Sequence, residues 1–205
     1  FEGTVRVFQR DAARARDCAT RMLAISQEND FNYLVGMAHG PLGWADAQAG
    51  PAAESLAAMR AALDEMARSG ARVGLIINLN RLAAALLQQE RMAEALATVE
   101  EALQANPQER LPHPESLEIR GRLRQATGDR DGAEADFREA MTLAREMGAI
   151  AFEIDAAYEL AQLLETAGDA GAARAVLDAV LVRCGAEITA PDLEDARAMR
   201  GRLGQ

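Results

Sequence analysis

An all-α array of antiparallel helix hairpins is the fold this sequence predicts, on three observations. Its apolar share of 49 % is carried mainly by Ala and Leu, with only 4 % aromatic residues. That composition favours helix and close helix–helix contact. β-branched residues are scarce, which argues against strands. A ladder of small and large residues also recurs about every 40 residues, as in a repeat architecture.

The ladder is clearest around Gly128-Asp129, where Gly121 is followed by Gly128, Ala133, Phe137 and Ala140. The same steps give Gly43, Gly50, Ser55, Met59 and Ala62, then Ala83, Glu90, Ala95, Val99 and Ala102, then Ala161, Gly168, Ala173, Leu177 and Val180. Ala15, Ala19 and Met22 form a partial first copy. The first small residue lets the two helices of a hairpin approach, and the Gly or polar residue ends the first helix. The next small residue marks where the second helix touches the first. The large residues beyond it are expected to pack on the following hairpin.

Each element follows from this register. A stub at 2–9 precedes a helix at 11–28, and hairpins follow at 32–49 with 51–69 and 72–89 with 91–105. Two more are expected at 114–127 with 130–147 and 150–167 with 170–184. A last helix starts near Pro191, with Thr189 and Asp192 as a capping box. It is expected to close the array. The repeats read as an incomplete first copy at 1–29, full copies at 30–70, 71–108, 112–148 and 149–186, and a capping helix at 190–203. No Pro-, Gly- or Ser-rich linker interrupts them, so 1–205 reads as one domain. Gly40-Pro41 falls inside a first helix and predicts a kink or a late helix start.

These residues resemble the tetratricopeptide repeat family. The resemblance rests on Leu42-Gly43, Leu82-Ala83 and Leu160-Ala161, on Ala95, Ala133 and Ala173, on Phe137, on Ala102-Leu103, and on Pro107 at a repeat end. It implies a right-handed superhelical solenoid of about five repeats. A period near 40 also suits HEAT-type repeats; the small-residue ladder and Pro107 favour the tetratricopeptide reading. The usual aromatic early in the first helix is missing from most copies. A narrower resemblance is to the C-terminal repeats of bacterial multidomain signalling proteins with predicted ATPase, adenylate/guanylate cyclase or transcriptional-regulator domains. It is carried by Leu42-Gly43-Trp44-Ala45, by 118–148, by 153–173, and by Pro191-Asp192-Leu193 through Ala196-Arg197. The stretch from Arg183 to Thr189 departs from that family's pattern.

Charge and composition exclude several functions. All 22 basic residues are Arg, so neither a P-loop nor a Schiff-base lysine is available. A net charge of −10 and a pI near 4.8 disfavour nucleic-acid binding. No apolar run is long enough for a membrane span. The chain begins at Phe1 without a signal-peptide pattern and reads as a fragment of a longer protein. Cys18 and Cys184 are expected to be free thiols in a reducing cytoplasm.

No catalytic set emerges, and the chain is read as a non-enzyme without cofactor or metal. His39 and His113 have no partner at ligand spacing. Asp129, Asp131 and Gly132 look like the start of a calcium loop, but Ala140 stands where the bidentate Glu belongs. Glu100-Glu101 and Glu194-Asp195 read as solvated faces. In a hairpin array the first helices line the concave groove. That places Met37, Gly40, Trp44 and Gln48 on it, followed by Asn80, Ala84 and Gln88. Glu115, Glu118, Arg122 and Gln125 continue the face, then Asp155, Tyr158, Gln162 and Glu165. Aromatic and Arg side chains suit binding, although Trp44 and Tyr158 could equally pack between repeats. A protein or peptide ligand in this groove is the first expectation, and an effector-sensing tail acting on upstream domains the second. Phe1, Val5, Val7 and Phe8, on the incomplete first hairpin, suggest a homodimer through an uncapped end.

Overall fold

The computed structural model describes residues 2–184 and 191–204. These residues hold eleven helices and no strands. The order is α1 (Glu2–Phe8), α2 (Ala12–Glu28), α3 (Asn32–Ala49), α4 (Ala53–Arg68), α5 (Leu75–Gln88), α6 (Met92–Ala105), α7 (His113–Ala126), α8 (Arg130–Glu146), α9 (Ile150–Thr166), α10 (Ala170–Leu181) and α11 (Pro191–Arg202). The ladder placed every one to within about three residues, the usual ambiguity of helix ends. Thr189 lies outside the described residues, so the proposed capping box does too.

The chain divides into two compact units, 1–109 and 110–205. In the first, α2 packs on α1 and α3, α3 on α4 and α5, and α5 on α4 and α6. In the second, α7 pairs with α8, and α9 touches α7, α8, α10 and α11. There α11 takes the place that a further first helix would occupy, against α9 and α10.

The ladder has a direct steric meaning. A Cβ on Gly121 would overlap the Phe137 ring, and one on Gly43 would overlap Met59. Each hairpin therefore closes by seating a large residue of its second helix against a small residue of its first. Ala83 with Val99 and Ala161 with Leu177 keep that register, and all four are fully buried. Ala15, Ala95, Ala133 and Ala173 are also fully buried. The large residues do pack on the following hairpin, and they meet their own hairpin as well. Phe137 meets Gly121 in its own hairpin and also joins a cluster with Ile154, Leu160 and Leu177.

Turn chemistry fixes the ends. Gly128 and Gly168 have φ of 88° and 85°, and Glu90 occupies the same step at 58° without being Gly. Asp11, Asp129 and Asp169 cap α2, α8 and α10 by accepting from the amides of Arg14, Gly132 and Ala172 at 2.9–3.0 Å. The role of Asp129 is thus a cap. Pro41 does not delay α3, which starts at Asn32 and runs to Ala49. Pro41 removes one backbone donor. On the same helix a Cβ at Gly36 would overlap Met66 of α4, and one at Gly40 the Asn78 amide of α5. Such close packing overrides the poor local propensity.

Two buried carboxylates tie neighbouring helices together. Asp136 of α8 is 1 % exposed and accepts from Arg120 at 2.6 and 3.0 Å, with Arg124 at 2.9 Å, both on α7. Glu153 of α9 is fully buried between Arg145 of α8, at 2.7 Å, and Arg183 just beyond α10. Val7 is buried against Ala15 and Ala45, which corrects its assignment to an exposed end. Val5 does remain exposed, and Phe8 carries the Arg81 guanidinium 4.6 Å from its ring centre.

Candidate functional site

In the first unit the expected face is only partly open. Gln48 and Gln88 are exposed. Trp44 is half-buried against Val7, Ala15 and Ala45, so it packs between helices. The Met37 sulfur accepts from the Asn78 amide at 3.1 Å and lies against Gly74. Asn80 is fully buried, so its side chain is enclosed rather than presented to a ligand. Helical spacing placed Asn80 on the right helix. It could not show that α5 is covered on nearly every side, with Asn78, Leu79, Asn80, Arg81, Leu82 and Ala83 all buried.

His39 lies on the other side of α3. It borders a cleft of about 410 Å³ with Val35, Gly36, Ala58 and Ala62. Burial holds its imidazole below the ordinary histidine range. A second cleft of about 600 Å³ has Leu56, Leu82 and Leu86 in its wall and is spanned by the Arg60–Glu101 ion pair at 2.7 Å. His113 opens α7. Both Cys18 and Cys184 are free.

The second unit gathers its expected residues. Glu118 and Arg122 lie one turn apart on α7, at 3.4 Å, and Arg122 reaches Glu159 of α9 at 3.7 Å. Arg122 keeps 42 % of its side chain exposed. Asp155, Tyr158 and Gln162 follow along α9, each partly exposed. Tyr158 leans on the core formed by α9 and its neighbours. Asp192 of α11 is among the acidic groups that act on Asp155.

Burial dominates the electrostatics here. It pushes the Glu118 carboxyl up to about 7, with Glu159 and Glu115 raising it further and Arg122 opposing. Burial likewise raises Asp155 well above the usual carboxylate range, helped by Asp192, Glu118 and Glu115. The Asp155 Oδ1 atom is buried without a hydrogen-bond partner. Among the described residues no three His, Cys, Asp or Glu side chains are disposed to hold a metal ion. No helix among them is long and apolar enough to cross a membrane.

Sequence reasoning missed Glu159 and Asp192 as members of this group. Glu159 stands one turn after Asp155, and that spacing could have found it. Asp192 was read as a local cap. Only the packing of α11 on α9 reveals its place beside Asp155.

Paired helices closed by a small residue against a large one, repeated through both units, define a helical repeat of the tetratricopeptide class. The chain belongs to the MalT-like TPR region family, whose model matches residues 1–203. No curated protein matches it.

Proposed function

We propose that the chain is a non-enzymatic binding module that takes a protein or peptide segment on the face made by α7 and α9 of its second unit. One observation carries the reading most of the way. Arg122 stands partly exposed between Glu118 and Glu159, with Asp155, Tyr158 and Gln162 on the adjoining helix. These side chains offer both signs of charge, an amide and an aromatic ring, and none of them completes a hairpin contact of the ladder. Arg and Tyr are enriched among the residues that dominate binding energy. A segment carrying both acidic and basic groups is the ligand this face would recognise.

The test is direct binding of peptides selected from a displayed library on the whole chain. Arg122→Ala with Gln162→Ala should weaken the selected peptides by at least about tenfold, a loss typical of hot-spot truncation. The helical circular-dichroism signal should stay unchanged. Binding that survives both changes would remove the face from the account.

The family match favours a second reading. The region would then serve as the effector-sensing part of a larger bacterial regulator, acting on its own upstream domains. A screen of small metabolites for a shift in thermal unfolding separates the two. Stabilisation by a metabolite with no displacement of the selected peptides supports sensing over segment binding.

A further inference from the structure

We propose that the gap between Glu118 of α7 and Asp155 of α9 is a subsite for the guanidinium or ammonium group of a basic side chain carried by the bound segment. This inference rests on the segment-binding reading above and names the group that the face takes up.

Helix register sets the gap. Arg110, just before α7, pairs with Glu146 at the end of α8, and Arg145 beside it pairs with Glu153 at the start of α9. Both α7 and α9 therefore run antiparallel to α8 and parallel to each other. Arg122 of α7 reaches Glu159 of α9 at 3.7 Å. One turn back on each helix stand Glu118 and Asp155, which places them at the same level of the α7–α9 contact. Glu115 lies a further turn back on α7. Both Glu118 and Asp155 keep part of their surface exposed, so a side chain can enter between them.

The supply of cations separates this level from the rest of the unit. Asp136 holds two arginines, at 2.6 and 2.9 Å, and Glu153 also holds two, Arg145 and Arg183. Glu118 instead shares Arg122 with Glu159, at 3.4 Å. Asp155 makes no ion pair among the described residues, and its Oδ1 is buried without a hydrogen-bond partner. A buried carboxyl oxygen left so is costly, and a charged donor removes the cost. The missing piece is thus a cation with several N–H groups, which a Lys or Arg side chain brings. Tyr158, partly exposed one turn beyond Asp155, offers its ring to the same group. Burial raises both carboxyls, and for Glu118 Arg122 only partly opposes it. A seated cation would favour their ionised forms.

The test uses the full 205-residue chain and two small probes, N-acetyl-argininamide and its uncharged isostere N-acetyl-citrullinamide. In amide chemical-shift titrations the argininamide should give saturable shifts at Glu118, Asp155 and Tyr158, and the citrullinamide should give none. Asp155→Asn and Glu118→Gln keep the side-chain size and remove the charge. Each should weaken the argininamide by at least about tenfold, the loss expected of a hydrogen bond to a charged group. Peptides selected on the chain should carry Lys or Arg, and an uncharged residue in its place should weaken them by a similar factor. No saturable shift with the argininamide overturns the subsite. So do equal shifts from the citrullinamide, or an affinity that both variants leave unchanged. Selected peptides that bind equally well without any basic residue would overturn the subsite and leave the segment-binding reading in place. A library that yields no peptide, while the argininamide binds as described, would remove that reading and leave the cation subsite.

Discussion

Ala133 and Glu90 show how single positions set this fold. Ala133 is fully buried where α8 crosses its neighbours. Adding three carbons there should cost about 1–3 kcal/mol through overpacking. Denaturant unfolding of Ala133→Leu measures this, and a neutral result would mean the helix crossing lies elsewhere. Glu90 holds a φ of 58°, at the step where Gly128 and Gly168 stand in later hairpins. A left-handed conformation costs an L-residue about 1–2 kcal/mol, and glycine adopts it freely at some cost in chain entropy. Glu90→Gly should therefore raise stability by about 0.5–1 kcal/mol, read from the urea midpoint. At this scale the small residues were legible because a Gly or Ala recurring at a fixed step has a steric cause. Asn80 was not, because the number of elements covering a helix is not written in that helix.

Between elements, the contacts are apolar seats reinforced by buried ion pairs. Asp136 is almost wholly buried, while Arg120 and Arg124 keep 20 % and 31 % of their side chains exposed. Asp136→Ala should destabilise the second unit by about 1–3 kcal/mol. That is less than the full penalty for breaking a buried pair, since the two arginines can regain water. Calorimetry on the variant checks the range. The same reasoning applies to Glu153, whose two cations approach from α8 and from beyond α10. These networks were unreadable in advance. Arg and Asp at such spacings look identical whether they meet across a hairpin or point to solvent. Helix positions were readable, since the Asp caps, the turn glycines and the ladder all mark the same boundaries.

Across the chain the two units should answer pH with opposite signs. Glu118 and Asp155 titrate higher in the folded second unit than when unfolded. Their contribution is complete below the ordinary carboxylate range and is lost as pH rises, through about 7 for Glu118. In the first unit His39 titrates lower when folded. Its contribution is present above the ordinary histidine value and is lost as pH falls below it. Moving from about pH 8 to about pH 6 should raise the unfolding midpoint of unit 110–205 and lower the His39 contribution in unit 1–109. His39→Gln should abolish the second effect and leave the first.

The proposed binding face is where the sequence was only half informative. Glu118 and Arg122 on α7 and Asp155, Tyr158 and Gln162 on α9 lie on helices that touch. Helical spacing could not anticipate that α11 would add Asp192 beside them. The most direct measurement is an amide chemical-shift map of the chain with a selected peptide bound. Perturbations centred on Arg122, Glu159 and Gln162 are the predicted result. Perturbations confined to the opposite helices, α8 and α10, would contradict the account.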